Sequence, residues 1–461
     1  MCGIFENILS EVKTMNFSNY VKKYEQEAIS SLQKLLQIDS VLDESTVSVG
    51  APFGEGIKNA LEAFLEMAKK DGFKTFNDEG YAGVIEYGEG EEAIGVLCHL
   101  DVVPTGSNWK FPPFSATIDD GKIYARGAMD DKGPTVAAYY ALKIIKDLGI
   151  KLNKKIQLIL GTDEETGWRG INHYKAKYGL PEVGFAPDAD FPLIYGEKGI
   201  LNTIVTSTDI DEDIVYVKGG ERFNVVIDSI EAATIKDHQE SFKEYLNKNN
   251  LSGSVEEKDN MYIYTIKGVS AHAMEPFKGV NAGTHMLNFL SSFSNHQLVK
   301  FGALLHEDYY LNNLKVNYEH QEMGVLTCNI GIIDINKESS KLTLDMRYPT
   351  GFDKNKFEEA LKECKVSYQI VADKDPHYIE PTDPLITTLY DAYVKYTNDL
   401  VNKPRTIGGG TYARAIKKGV AFGMEMPGAA SVVHQPNEYL IIEEFLKGIA
   451  IYAEAIYQLG K

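Results

Sequence analysis

The chain has 461 residues, 44% of them hydrophobic and 25% charged, and its 47 Lys+Arg against 66 Asp+Glu leave a formal net charge of −19. At about 150 residues per domain this length fits two or three domains, and the composition is globular, not disordered, fibrous or membrane-spanning. The acidic balance also sets nucleic acid aside as a partner, because phosphate binding needs a basic footprint.

Residues 1–14, MCGIFENILSEVKT, carry no basic n-region and no long apolar run, so neither a signal peptide nor a membrane anchor is expected. Met15 is a second candidate start. Cys2, Cys98, Cys328 and Cys364 form no C-x-x-C pair, which favours reduced thiols and a cytoplasmic protein. Residues 19–38 place Tyr20, Tyr24, Ala28, Leu32, Leu35 and Leu36 roughly on one helical face, and 57–70 reads as a second helix. The apolar runs 93–98 and 156–160 read as buried strands. A helix is expected over 135–148, with Pro134 at its start.

This alternation predicts an α/β catalytic domain, a mainly parallel sheet flanked by helices. From about Glu197 the texture becomes alternating, as in 262–266 and 341–346, and predicts an α+β lid domain with antiparallel sheet. The proline-bearing stretch 373–384 reads as a return linker, followed by helices over 386–396 and 442–459. The expected division is therefore 1–196 and 376–461 for the catalytic domain, interrupted by a lid over 197–375.

The candidate chemistry clusters at predicted strand ends. The first strand runs into His99-Leu100-Asp101, and residues i and i+2 of a strand share a face. Alone, this favours a capped strand end with a buried histidine. Asp130-Asp131 precede a helix, where a solvated cap is the plain alternative. The second strand leads into Asp163-Glu164-Glu165, three adjacent acids whose repulsion a cation would relieve. Asp188 follows another short apolar stretch, and His434 supplies a second imidazole. Two imidazoles and three carboxylates (His99, Asp130, Glu165, Asp188, His434) suit zinc or manganese, and five ligands fit two metals sharing a carboxylate.

Seven blocks in order carry a resemblance: CHLDVVP (98–104), ARGAMDDKGP (125–134), GTDEETGW (161–168), FAPDADFP (185–192), GVSAHAMEP (268–276), GGGTYAR (408–414) and HQPNE (434–438). They resemble the di-metal metallopeptidase family that contains carnosinase, carboxypeptidase G and succinyl-diaminopimelate desuccinylase, in its dipeptidase V-like branch. The likeness covers nearly the whole chain from about residue 19.

That resemblance implies particular roles. His99 and Asp188 ligate one metal, Glu165 and His434 the other, and Asp130 bridges them, the Asp130–Asp131 peptide being cis. Asp101 orients the His99 imidazole, and Glu164 is the general base and acid. His272 is the oxyanion donor. Asn224 and Arg347 contact substrate, Arg347 as a bidentate carboxylate partner, although a strand-face salt bridge explains Arg347 nearly as well on local grounds. Gly408, Gly409, Gly410 and Thr411 form a backbone nest for the substrate's C-terminus. Cys98 adjoins a ligand but faces the core.

The expected cofactors are two divalent ions, zinc first, with manganese or cobalt as alternatives. A water bridging two cations is acidified and can act as hydroxide at neutral pH. The expected activity is hydrolysis of dipeptides with a free N-terminus. An N-acyl amino-acid deacylase or carboxypeptidase is the alternative, and a non-catalytic metal- or peptide-binding protein is a third reading. The long lid suggests that His272 serves its own chain and that the enzyme is a monomer.

Overall fold

The computed structural model describes residues 16–461. Met15, Cys2 and the terminal segment around them lie outside the described residues. The chain forms two compact units: one runs to Tyr195 and adds Ile379–Arg405 and Thr411–Lys461, and the other comprises Gly196–Tyr378 with Thr406–Gly410. The segment 406–410 thus groups with the second unit, where no lid residues were expected.

In the first unit the sheet runs in the order Lys74–Asn77, Ala82–Tyr87, Lys155–Gly161, Ala93–His99, Val183–Ala186, Lys418–Ala421. The last four of these are mutually parallel and the first two pairings antiparallel; the sheet continues from Lys418–Ala421 into the antiparallel Ile194–Glu197. The parallel strands are near-continuous apolar runs because helices cover them. Ile94, Val96, Leu97 and Cys98 are buried, as are Ile156, Leu158, Ile159 and Leu160. The helices Ser18–Leu36, Lys132–Asp147 and Ile442–Gly460 pack on one another, and Glu55–Lys70 packs on Ala82–Tyr87. In the first helix Val21, Ala28, Ile29, Leu32, Leu35 and Leu36 are buried, a stripe at helical spacing.

The expected linker 373–384 is only partly loop. The strand Ser367–Lys374 extends into it, and a helix begins at Pro384. Proline at that first helical position loses no needed N–H, and the Asp383 carboxylate accepts from Leu385 N at 2.9 Å.

The second unit is an antiparallel sheet ordered Ser252–Lys258, Met261–Lys267, Ser229–Thr234, Ile214–Gly219, Thr327–Asn336, Ser340–Tyr348, Gly199–Ser207, Ser367–Lys374. Burial alternates along Gly199–Ser207, with Leu201, Thr203 and Val205 inside. The helices Ala282–Leu290 and Gln297–Leu304 cover it, and their Met286, Leu287, Phe289, Leu298, Val299 and Phe301 complete the core.

Candidate active site

In the first unit, parallel pairing sets His99 opposite Gly161, so the loops after both strands leave the same sheet edge. Open α/β sheets hold their ligands at this carboxyl edge. The His99 N–H donates to Asp131 Oδ2 at 3.0 Å, and its carbonyl accepts from Thr135 Oγ1 at 3.3 Å. These bonds tie the strand end to the start of the Lys132–Asp147 helix. Gly161 has no room for a side chain, since a Cβ there would overlap the Tyr412 hydroxyl. The Tyr412 ring stands edge-on to His99 at 6.2 Å and to Trp168 at 5.0 Å.

Four of the sequence-predicted residues, His99, Asp188, Glu165 and His434, gather around a fifth, Asp130. His99 Nε2 is 3.0 Å from Asp130 Oδ1 and 3.8 Å from Asp188 Oδ2. His434 Nε2 is 2.9 Å from Asp130 Oδ2 and 3.1 Å from Glu165 Oε2. The donors form two overlapping triads, His99–Asp130–Asp188 and Asp130–Glu165–His434, each with its atoms within 4.8 Å of one another. A tetrahedral zinc with bonds of about 2.0–2.2 Å sets its donors roughly 3.3 Å apart, so the set fits two cations sharing Asp130. His434 holds φ 62°, a left-handed conformation that costs a non-glycine residue about 1–2 kcal/mol. The Asp130–Asp131 peptide is cis.

Charge in the site is strongly coupled. Burial raises carboxyl pKa values, yet the His434 and His99 imidazoles hold Asp130 below its usual range. Burial and the Asp130 charge push Asp188 up to about 6. Hydrogen bonds donated to the Asp130 and Glu165 carboxylates raise His434 to about 10. Burial opposes charging of His99, but Asp101, Asp130 and Asp188 raise it above its ordinary value. The metal-free cluster therefore stores protons that a divalent cation displaces.

Asp101 stands against His99 and also reaches the glutamate turn. The His99 Nδ1 hydrogen bond goes to the Asp101 backbone carbonyl at 2.9 Å, and the carboxylate Oδ1 stands farther off at 3.5 Å. The carboxylate accepts from Glu164 N at 3.1 Å and Glu165 N at 3.0 Å, fixing the turn that carries both glutamates. Glu164 Oε1 accepts from the Trp168 indole at 3.0 Å. Burial, then the Asp188 charge, pushes the Glu164 pKa well above the usual range. Such a carboxyl suits proton transfer better than it suits a fixed charge.

One residue unassigned from sequence organises this site. Glu438, the last residue of HQPNE, is buried and pairs with Arg126 Nη1 at 2.6 Å. It also accepts from Gly127 N at 3.2 Å, Met129 N at 2.8 Å and Asp130 N at 3.2 Å. It therefore shapes the loop that presents Asp130. Cys98 is buried in the core beside His99, as expected.

The second unit gathers most of the remaining candidates. The His272 segment bridges Val225, and Ala273 N donates to the Asn224 carbonyl at 3.0 Å. His272 Nδ1 accepts from Met274 N at 3.1 Å, which leaves Nε2–H as the donor of the neutral ring. Gly408 lies against Met274, where a Cβ would stand 2.9 Å from the Met274 Cβ. Arg347 is buried. Its Nη1 donates to the Gly408 carbonyl at 3.1 Å and its Nη2 to Asp345 Oδ2 at 3.0 Å, with Nε on Asp345 Oδ1. Arg347 thus makes the strand-face pair considered above and also holds the glycine loop. Thr411 falls in the first unit, where its hydroxyl accepts from Ala413 N at 3.2 Å. Asn329 gave no sequence signal, yet its Nδ2 donates to the Val225 carbonyl at 3.0 Å and supports the segment carrying Asn224.

The chain is similar to known proteins. The family described as "Peptidase family M20/M25/M40" matches residues 95–458. A Bacillus subtilis relative named "Putative dipeptidase YtjP" is 39% identical, covering 97% of this chain and 100% of its own length. A Staphylococcus epidermidis relative of similar name is 38% identical, covering 95% and 98%. Human carnosine dipeptidase 1 matches with TM-score 0.57 at 14% identity, covering 96% of this chain and 98% of its own. The Saccharomyces cerevisiae di-peptidase Dug1p matches with TM-score 0.56 at 14% identity, with the same coverage. At these identities the two solved structures establish a shared fold.

Proposed function

The chain belongs to peptidase family M20/M25/M40, and on that premise we propose that it is a metal-dependent dipeptidase acting on dipeptides with a free N-terminus. The observation that carries the reading is the Asp130 carboxylate shared between His99 and His434, with Glu164 anchored beside it. The relatives with dipeptidase names support the substrate class. Two divalent cations, zinc first with manganese or cobalt as alternatives, would be held by His99, Asp130 and Asp188 and by Asp130, Glu165 and His434. When bound, they supply positive charge that polarises the scissile carbonyl and acidifies water.

Everything else falls to the chain's own groups. Glu164 takes the proton of the attacking water and returns it to the leaving nitrogen. Asp101 and Trp168 fix the backbone and carboxylate of that glutamate. His272 donates Nε2–H to the developing oxyanion, a role favoured by the Met274 hydrogen bond at Nδ1. Arg347, Asn224 and the loop Gly408, Gly409, Gly410 and Thr411 receive the substrate's polar ends, and the Arg347–Gly408 bond supports grouping Arg347 with the glycines.

We place the enzyme in the cytoplasm, acting as a monomer. The free thiols Cys98, Cys328 and Cys364 favour a reducing compartment. No helix among the described residues is long and apolar enough to cross a membrane.

The test is metal-stripped protein reloaded with zinc, manganese or cobalt and assayed on dipeptides, N-acetyl amino acids and tripeptides. Dipeptides should turn over with the highest kcat/KM. Preference for N-acetyl amino acids would establish a deacylase, and preference for tripeptides would overturn the dipeptidase reading.

A further inference from the structure

Away from the candidate active site, the second unit brings together another set of metal-ligating side chains. His285, on the helix Ala282–Leu290, and His306 and Glu307, in the turn after Gln297–Leu304, place three donor atoms within 4.8 Å of one another. The imidazoles come from different helical segments and cross at 67° with their centroids 4.5 Å apart. His285 is buried, His306 half-buried and Glu307 exposed.

The hydroxyls around the rings favour ligation. Thr284 Oγ1 donates to the Asn281 carbonyl at 3.1 Å, so at 3.4 Å from His306 Nδ1 it can only accept. That puts the ring proton on Nδ1 and leaves the Nε2 lone pair bare. His285 Nδ1 lies 3.2 Å from the Tyr245 hydroxyl, which is itself fixed by Asn288 Nδ2 at 3.1 Å. A ligating histidine donates its second ring N–H, so ligation through His285 Nε2 requires the Tyr245 hydroxyl to accept from Nδ1–H with its remaining lone pair.

We propose that His285, His306 and Glu307 form a zinc-binding site that bridges the Ala282–Leu290 helix and the turn after Gln297–Leu304. Two imidazoles and a carboxylate match the preference of zinc for nitrogen and oxygen ligands, with water as the fourth ligand. This ion would lie apart from the shared Asp130 site and play no part in peptide hydrolysis.

The test counts zinc bound per chain in full-length protein, stripped with chelator and then dialysed against zinc. His306→Gln should bind one zinc fewer than wild type and keep wild-type kcat at saturating zinc. An equal count in the two proteins would overturn the proposal. In an Asp130→Ala background one zinc should remain, and adding His306→Gln should remove it. That difference stands or falls independently of the dipeptidase reading. Should His306→Gln fail to fold by circular dichroism, the exposed Glu307→Gln takes its place. Its zinc affinity at this site should fall about tenfold, and an unchanged affinity would overturn the proposal.

Discussion

Glu164 and Glu165 are adjacent yet differently held, and this separation is testable residue by residue. Glu165 faces His434, whereas Glu164 meets an indole N–H; burial raises both carboxyls, that of Glu164 well above the usual range. Glu164→Ala should retain both metals and lower kcat by at least ~10². Turnover and metal content should be measured on the same sample, and near-normal turnover or loss of both metals would remove Glu164 from its role. The proton content of the cluster gives a second expectation. His434, near 10, is charged at pH 7 in the metal-free chain, while Asp188, near 6, is mostly ionised. Zinc must displace the His434 proton, so affinity should rise about tenfold per pH unit per proton released and level off near pH 10. Calorimetry in buffers of different ionisation enthalpy measures that release. A pH-independent affinity between 6 and 9 would contradict the charge assignment.

At the scale of elements, the legible parts were those that local chemistry marks. The runs 93–98 and 156–160 are apolar because their strands are buried, and each leads into a histidine or acids of the motifs that carry the family resemblance. Hence His99, Asp130, Glu165, Asp188 and His434 could be picked out before their distances were known. Three features could not. The Asp101 carboxylate serves the glutamate turn because the backbone already occupies His99 Nδ1, a choice set by geometry. Asn329 supports a loop about a hundred residues away in sequence. Glu438 was visible as a letter in HQPNE, but its three backbone donors come from a loop more than three hundred residues earlier. That last arrangement predicts a large effect. Glu438→Gln leaves Arg126 buried without its counter-charge and sets an amide against N–H groups. Breaking a buried pair in this way costs about 3–5 kcal/mol, to be read from urea unfolding of metal-free protein. A loss below about 1 kcal/mol would show that the Asp130 loop holds its shape without Glu438.

At the scale of the whole molecule, the question is which chain supplies the oxyanion donor. The second unit runs continuously over Gly196–Tyr378 and takes back Thr406–Gly410. The covalent connection therefore crosses between units several times, and the glycine loop belongs with Met274 and Arg347 while its neighbour Thr411 does not. The length of the expected lid, 197–375, favours one that serves its own chain and excludes water on closure. The expectation is that His272 acts in cis. Mixing His272→Ala with Glu164→Ala protein, after dissociation and reassociation, separates the alternatives. In cis, every site in the mixture lacks either the donor or the base, and activity stays at the level of the separate variants. In trans, hybrid dimers contain one site with both groups intact, and about a quarter to a half of wild-type activity returns. Sedimentation of the mixture, run alongside, reports whether hybrids exist. Restored activity in a dimeric fraction would sink the monomer mechanism, and a monomeric, inactive mixture would uphold it.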